Sequence, residues 1–267
     1  MRLKILAFVL LLSGPALAAE PPPRAPTGRW IVDFDDAQCV ATRDYGTPQA
    51  PMRFFIKTPP TGDVMQMGLM RNGTRASAQQ LPAKVTIGTS PAIKSTVLTF
   101  SPSGQKRRID LINLASTVAE PIARATSIKI QLGNDSESLA LSQMKSLLEV
   151  MDRCVVSLRK AWNVPDLGAP SPLKQRARGN LHSFFDADDY PPVAFINGQT
   201  GIVKFVALID ENGRVADCTL TQTSGVAALD AQTCAVLKER GKFEPAIGAD
   251  GKPARDVIFQ TVNWKLG

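Results

Sequence analysis

The stretch DCTLTQTSGVAALDAQTC, Asp217 to Cys234, holds two of the chain's four cysteines, Cys218 and Cys234, sixteen positions apart. Thiols at that spacing support three chemistries: metal ligation, catalysis or a disulfide. Zinc would need more sulfur or nitrogen donors, and the sequence has no C-x-x-C pair and a single histidine, His182, in a polar stretch. A nucleophilic thiol needs an activating base, for which His182 is again the one imidazole. Asp33, Asp35 and Asp36 read as a solvated strand edge, because Asp33 and Asp35 share one face and Asp36 falls at the turn. Met65 and Met67 share a strand face suited to filling a core. Ser224 precedes Gly225 after a strand, but position 222 is Gln where a nucleophile elbow needs glycine, so Ser224 reads as a turn residue. These residues predict no catalytic site, no metal and no cofactor, and they point to cross-linking.

Cross-linking depends on compartment. Arg2 and Lys4 precede the aliphatic run Ile5 to Leu12, Gly14-Pro15 breaks it, and Ala16-Leu17-Ala18 is a small-x-small cleavage signal. Residues 1–19 therefore read as a signal peptide, cleaved after Ala18 or Ala19; the apolar run is too short for a spanning helix. The rival reading retains this segment as a membrane anchor. Export leads to an oxidising compartment, where an even number of cysteines is most simply read as disulfides. Net charge is +7, or +5 without Arg2 and Lys4. The densest basic groups, Lys106-Arg107-Arg108 and Lys174 to Arg178, lack the interleaved aromatics of a nucleic-acid surface.

The elements around the cysteines divide into two domains. Residues 20–29 form a proline-rich lead, expected to be extended and poorly ordered. Residues 30–163 begin with strand-like runs bounded by Gly, Pro, Ser or Asn: RWIVDF, MRFFIK, VMQMGLM, KVTIG, STVLTF and RRIDLIN. A short helical segment near Ala115 to Ala125 and one more strand, TSIKIQL, follow. This predicts an N-terminal, mainly antiparallel β domain closed by a long helix, in which Met144, Leu147, Met151, Cys154, Leu158 and Trp162 share one broad face. Asn134-Asp135-Ser136 is read as the cap of that helix. Cys154 then points inward and pairs with Cys39, just after the first strand. No constellation marks the role of this domain. Residues 164–186, with prolines, glycines and charges but no apolar period, read as a linker.

Residues 187–267 predict a second, smaller domain. GIVKFVALID is a strand whose faces are Val203, Phe205, Ala207, Ile209 and Ile202, Lys204, Val206, Leu208. The Glu211-Asn212-Gly213 turn reverses it into RVADCTLTQT as a hairpin. A helix from about Asp230 to Arg240 is expected to gather Ala231, Cys234, Ala235, Leu237 and the aliphatic stem of Lys238 on one side, and Gly241 ends it. RDVIFQTVNWKL is the final strand, with Ile258, Val262 and Trp264 on one face. Cys218 on the second strand and Cys234 on the helix are thereby placed to join helix to sheet.

These residues also resemble a known family. YPP at Tyr190 to Pro192, G-x-V-K-F at Gly201 to Phe205, D-x-N-G-R-V at Asp210 to Val215, SG at Ser224-Gly225, LD at Leu229-Asp230, K-F-x-P-A at Lys242 to Ala246 and W-K-L at Trp264 to Leu266 look like the TonB C-terminal domain, in its β-β-α-β arrangement. The paired cysteines resemble a variant found in some exported TonB-like proteins. The resemblance implies a Gram-negative periplasm and a protein-binding role without catalysis. In the family, the last strand presents a free edge to which a short receptor peptide adds as a further strand, a mode that open N–H and C=O groups support. Carried over, that edge is Asp256, Val257, Ile258, Phe259, Gln260, Thr261, Val262, Asn263, Trp264 and Lys265, and Asp189 and Tyr190 are further partner contacts. Asp188-Asp189 is acidic where the family's energy transducers commonly carry an amide. Those transducers also have a retained membrane helix and a long proline-rich spacer, whereas this chain has a cleavable leader, a short lead and a folded domain.

The reading is an α+β protein of two domains, exported to the periplasm, whose TonB-like module binds envelope proteins, with TonB-dependent receptors among the candidates. Two alternatives accompany it: a membrane-anchored energy transducer, and an envelope hydrolase for which no site can be located.

Overall fold

A computed structural model describes residues 20–102, 104–166 and 168–266. The export segment, residues 1–19, lies outside the described residues. The architecture is α+β, dominated by one large antiparallel sheet followed by a smaller sheet-and-helix unit. The large sheet contains β1 (Ile31–Phe34), β2 (Cys39–Gly46), β3 (Pro51–Thr58), β4 (Val64–Asn72), β5 (Gln79–Ile87), β6 (Ile93–Phe100), β7 (Arg107–Ala115), β8 (Ser127–Leu132) and β9 (Asp135–Ala140). Its order is β1-β2-β3-β4-β7-β6-β5-β8-β9. Alternate residues such as Phe54 and Ile56, Met67 and Leu69, Ile128 and Ile130 face inward, as a half-buried strand requires. Ser116–Val118 form a 3-10 turn that leads into α1 (Ala119–Arg124). The 18-residue α2 (Met144–Ala161) packs against β2 and α1, burying Met144, Leu147, Met151, Cys154 and Leu158, with Trp162 buried just beyond its end. Cys154 bonds to Cys39, 115 positions away.

Two local readings change, and one strand is new. Asn134-Asp135-Ser136 does not cap α2: Gly133 (φ +60°) and Asn134 turn the chain from β8 into β9, and α2 starts after Gln143. A Gly-Asn pair between two strands is a hairpin turn, and its local geometry outweighs the capping propensity of these residues. Strand β2 escapes a hydropathy reading because Arg43 occupies an inward position. It is buried because its donors are satisfied: Nε bonds Gly28 O at 2.9 Å, Nη1 bonds Ser142 Oγ at 2.8 Å, and the guanidinium lies over the Trp30 ring. Finally, the proline-rich lead is docked. Arg24 exchanges backbone hydrogen bonds with Ser138 and Ala140 of β9, while Thr27 N–H donates to Asp44 O of β2. One short segment thus stitches the two ends of the curled sheet, and Tyr45 Oη spans the same seam to Ala140 O at 2.8 Å.

The smaller unit begins with two 3-10 turns, Leu181–Ser183 and Ala187–Asp189, and a single helical turn, α3 (Pro192–Ile196). Then come β10 (Gly201–Ile209), β11 (Val215–Gln222), α4 (Ala227–Arg240), the short pair β12 (Ala246–Ile247) and β13 (Pro253–Ala254), and β14 (Asp256–Trp264). Strands β11-β10-β14 form an antiparallel sheet. At the β10–β11 hairpin Gly213 has φ +78°, and a Cβ there would lie 1.9 Å from Phe243 O, so only glycine fits. Helix α4 covers one sheet face and is tied to β11 by Cys218–Cys234.

Its inner face is not the expected one. Leu229, Asp230, Thr233, Val236 and Leu237 are buried, whereas Ala231 and Cys234 are half-buried and Ala235 is exposed. Thr233 can enter the core because its hydroxyl donates to Leu229 O at 2.8 Å and accepts from Trp264 Nε1 at 2.9 Å. The second sheet face is not free either: Val206, Leu208 and Val257 belong to the same apolar cluster as the large sheet. The segment 173–185 also packs on this unit, with Gln175 bridging Ile247, Arg178 bridging Glu244, and Phe184 against Phe243.

Candidate functional site

Strand β14 is the outer strand of its sheet, paired with β10 from Ile209↔Asp256 to Gly201↔Trp264. Backbone groups alternate sides along a strand, so the orientation of one residue gives that of all. Arg176 Nη2 donates to Val257 O from outside at 2.5 Å, and Val257 N–H turns to the Asp256 carboxylate. The outward residues are therefore Val257, Phe259, Thr261 and Asn263, and the inward ones Ile258, Gln260, Val262 and Trp264.

The edge has a closed end and an open end. At its start, the Asp256 carboxylate, 1% exposed, accepts from Arg176 Nε at 2.8 Å and from Ala177 N–H at 2.8 Å, which seals this end with the chain's own 176–177 segment. Beyond Val257, no other segment pairs with the edge among the described residues. Instead a groove of about 580 Å³ separates Gln260 to Lys265 from Gly179 to Tyr190. The Phe259 side chain is 62% exposed and Ile202 45% exposed; both lie on the sheet face opposite α4, beyond the cover that the large sheet provides. An open edge beside an apolar surface is a template for one more strand.

Aromatic packing holds the open end. Trp264, anchored by its bond to Thr233, meets Phe185 and Tyr190 edge to face at 5.6 and 5.4 Å. Tyr190 Oη donates to Gln199 O at 2.5 Å. Asp189 is buried: it closes a reciprocal capping box with Asp186, and its carboxylate pairs with Arg240. Its backbone N–H and Oδ2 are thus engaged within the chain, while the Tyr190 ring borders the groove. His182 is exposed on the opposite bank of the groove. The sequence carries no signal for the Arg176–Asp256 closure, because a basic residue in a loop pairs with a strand 80 positions away.

The base of the unit is clamped to the large sheet. Lys57 Nζ of β3 reaches Asp217 of β11 at 3.0 Å, and Lys238 Nζ of α4 reaches the same carboxylate at 2.7 Å. Burial alone would raise the Asp217 pKa, but attraction to the two lysines wins and holds it below the usual carboxylate range. Asn113 Nδ2 donates to Leu220 O at 3.0 Å, and Gln80 donates to Asp230. Asp230, 0% exposed, also accepts from Ser224 N–H at 2.8 Å; burial outweighs that bond and raises its pKa. Ser224 thus serves the turn into α4, bonding Val226 through its hydroxyl.

Residues 186–266 match the model of the Gram-negative bacterial TonB protein C-terminal family, so this part of the chain is similar to a TonB C-terminal domain. No curated protein and no solved structure matches the chain. Among the described residues, no helix is long and apolar enough to cross a membrane.

Proposed function

We propose that this is a periplasmic protein-binding protein whose TonB-like module captures an extended segment of an envelope protein as an added strand on β14, TonB-dependent receptors being the leading candidate partners. The role is recognition, without catalysis, and residues 1–19 direct export and are removed. The observation that carries this reading is the half-open edge: Phe259, Thr261 and Asn263 present N–H and C=O groups outward, next to the groove and an exposed phenylalanine. A guest strand would complete the ladder at those groups, and its alternate side chains would meet Phe259 and Ile202 or the Tyr190–Trp264 bank.

Because donors alternate, proline separates binding from folding. Thr261→Pro removes an outward N–H and spares the β10 ladder, whereas Gln260→Pro removes a ladder bond. Fluorescence titration with receptor-derived peptides is expected to show saturable binding that Thr261→Pro reduces at least about tenfold, the loss of about 1.4 kcal/mol. Absence of binding to every peptide, or binding indifferent to Thr261→Pro, overturns strand addition.

A further inference from the structure

The two halves of the molecule enclose a cavity that strand addition does not use. One wall is the outer face of the large sheet, with Leu98 and Phe100 of β6 and Leu111 of β7. The other wall is α4 and β11, where Ala231 and Ala235 stand on either side of the Cys218–Cys234 bridge. A helix facing a sheet ordinarily fills such positions with large apolar side chains. Alanines leave about 360 Å³ here, within the range of small-molecule sites.

The two ends differ in charge. At one end Lys57 and Lys238 share the single carboxylate of Asp217, leaving one surplus positive charge and N–H donors to spare. At the other end Asp230 already accepts from Ser224 N–H and from Gln80. A cation would meet repulsion at the lysine end, and a wholly polar anion would leave the apolar walls in contact with water.

We propose that this cavity binds a small amphipathic anion, its apolar body between Phe100, Leu111 and the α4 alanines and its carboxylate head at Lys57 and Lys238. Two sources share that chemistry, an acyl-chain acid and an aromatic acid, and the probes distinguish them.

The test is calorimetric titration of the disulfide-bonded, full-length protein with decanoate, 2-naphthoate, decan-1-ol and decyltrimethylammonium. Saturable one-to-one binding of decanoate or naphthoate is expected, the better of the two identifying the source, with no binding of the cation. Lys238→Gln is expected to weaken the anion about tenfold while leaving decanol unchanged, since only the head loses a charge-assisted bond. Ala235→Trp, at an exposed helix position, is expected to fill the cavity and abolish binding with the melting temperature preserved; Ala231→Leu serves if that variant does not fold. Peptide binding at β14 should survive both substitutions, so the two sites fail independently. Binding of neither anion, equal binding of the cation, or anion binding unaffected by a folded cavity-filling variant overturns the proposal.

Discussion

Asp217 and Asp230 lie on the same seam, and their surroundings drive their titration in opposite directions. The folded pKa of Asp217 is lowered, so its contribution is fully present above the unfolded value of about 4 and is lost as pH falls toward the lower folded value. Asp217→Asn leaves Lys57 and Lys238 without their counter-charge, at a cost of about 3 kcal/mol at pH 7. Denaturant unfolding should show that loss at pH 7 and a much smaller one at pH 3. The folded pKa of Asp230 is raised, so the folded state holds its proton more tightly and stability falls as pH rises from about 4 through the folded value. Asp230→Asn keeps an acceptor for Ser224 N–H and removes that slope. Its unfolding free energy at pH 7 should equal or exceed that of the parent, and a loss of more than about 2 kcal/mol would contradict this account. The buried aspartates were invisible in the sequence, where nothing marks which Asp will meet a lysine from a strand 160 positions away. The cysteines were more legible, because an even number of them without metal-ligand spacing argues for pairing before any geometry is known.

At the scale of elements, the two cross-links act over different loops. Cys39–Cys154 spans 115 positions and Cys218–Cys234 spans 16. Loop-closure entropy assigns them about 5 and about 3 kcal/mol respectively. The double variants Cys39→Ser/Cys154→Ser and Cys218→Ser/Cys234→Ser should lose stability in that order by urea unfolding; equal losses would mean that the difference in loop length is offset elsewhere. In β14, Gln260→Pro should lower the melting temperature well below that of Thr261→Pro, because Gln260 faces the β10 ladder and Thr261 faces outward. Strand β14 and the β10–β11 hairpin were legible because apolar alternation and an Asn-Gly turn are local signals. Strands β2 and β9 were not, since Arg43 and Asp135 to Ser138 are polar and pair only because neighbouring strands satisfy them. The inner face of α4 was misjudged for the same reason: Thr233 is polar by composition and becomes interior once Trp264 bonds to it.

In the whole molecule, Val206, Leu208 and Val257 of the small sheet join the apolar cluster of the large one, while the α4 side of the small sheet forms a second cluster of its own. Unfolding of the two halves should therefore be cooperative. Trp30 and Trp162 report on the large sheet and Trp264 on the small one, so single-tryptophan variants should give coincident urea transitions. Leu208→Ser, which places a hydroxyl and a void in the shared cluster, is expected to cost about 3 kcal/mol and to separate those transitions. Coincident transitions in that variant would show that Val206, Val257 and the polar contacts suffice to couple the halves. The sequence by itself determined the cysteines' oxidative chemistry, the run of antiparallel strands and the TonB-like order of motifs, because each rests on composition or on neighbours along the chain. Tertiary structure alone decided that the small sheet leans on the large one, that Arg176 and Asp256 close one end of β14 while the other stays open, and that α4 turns its alanines toward a cavity. Those outcomes depend on pairing between segments far apart in sequence, and such partners are chosen only when the chain has brought them together.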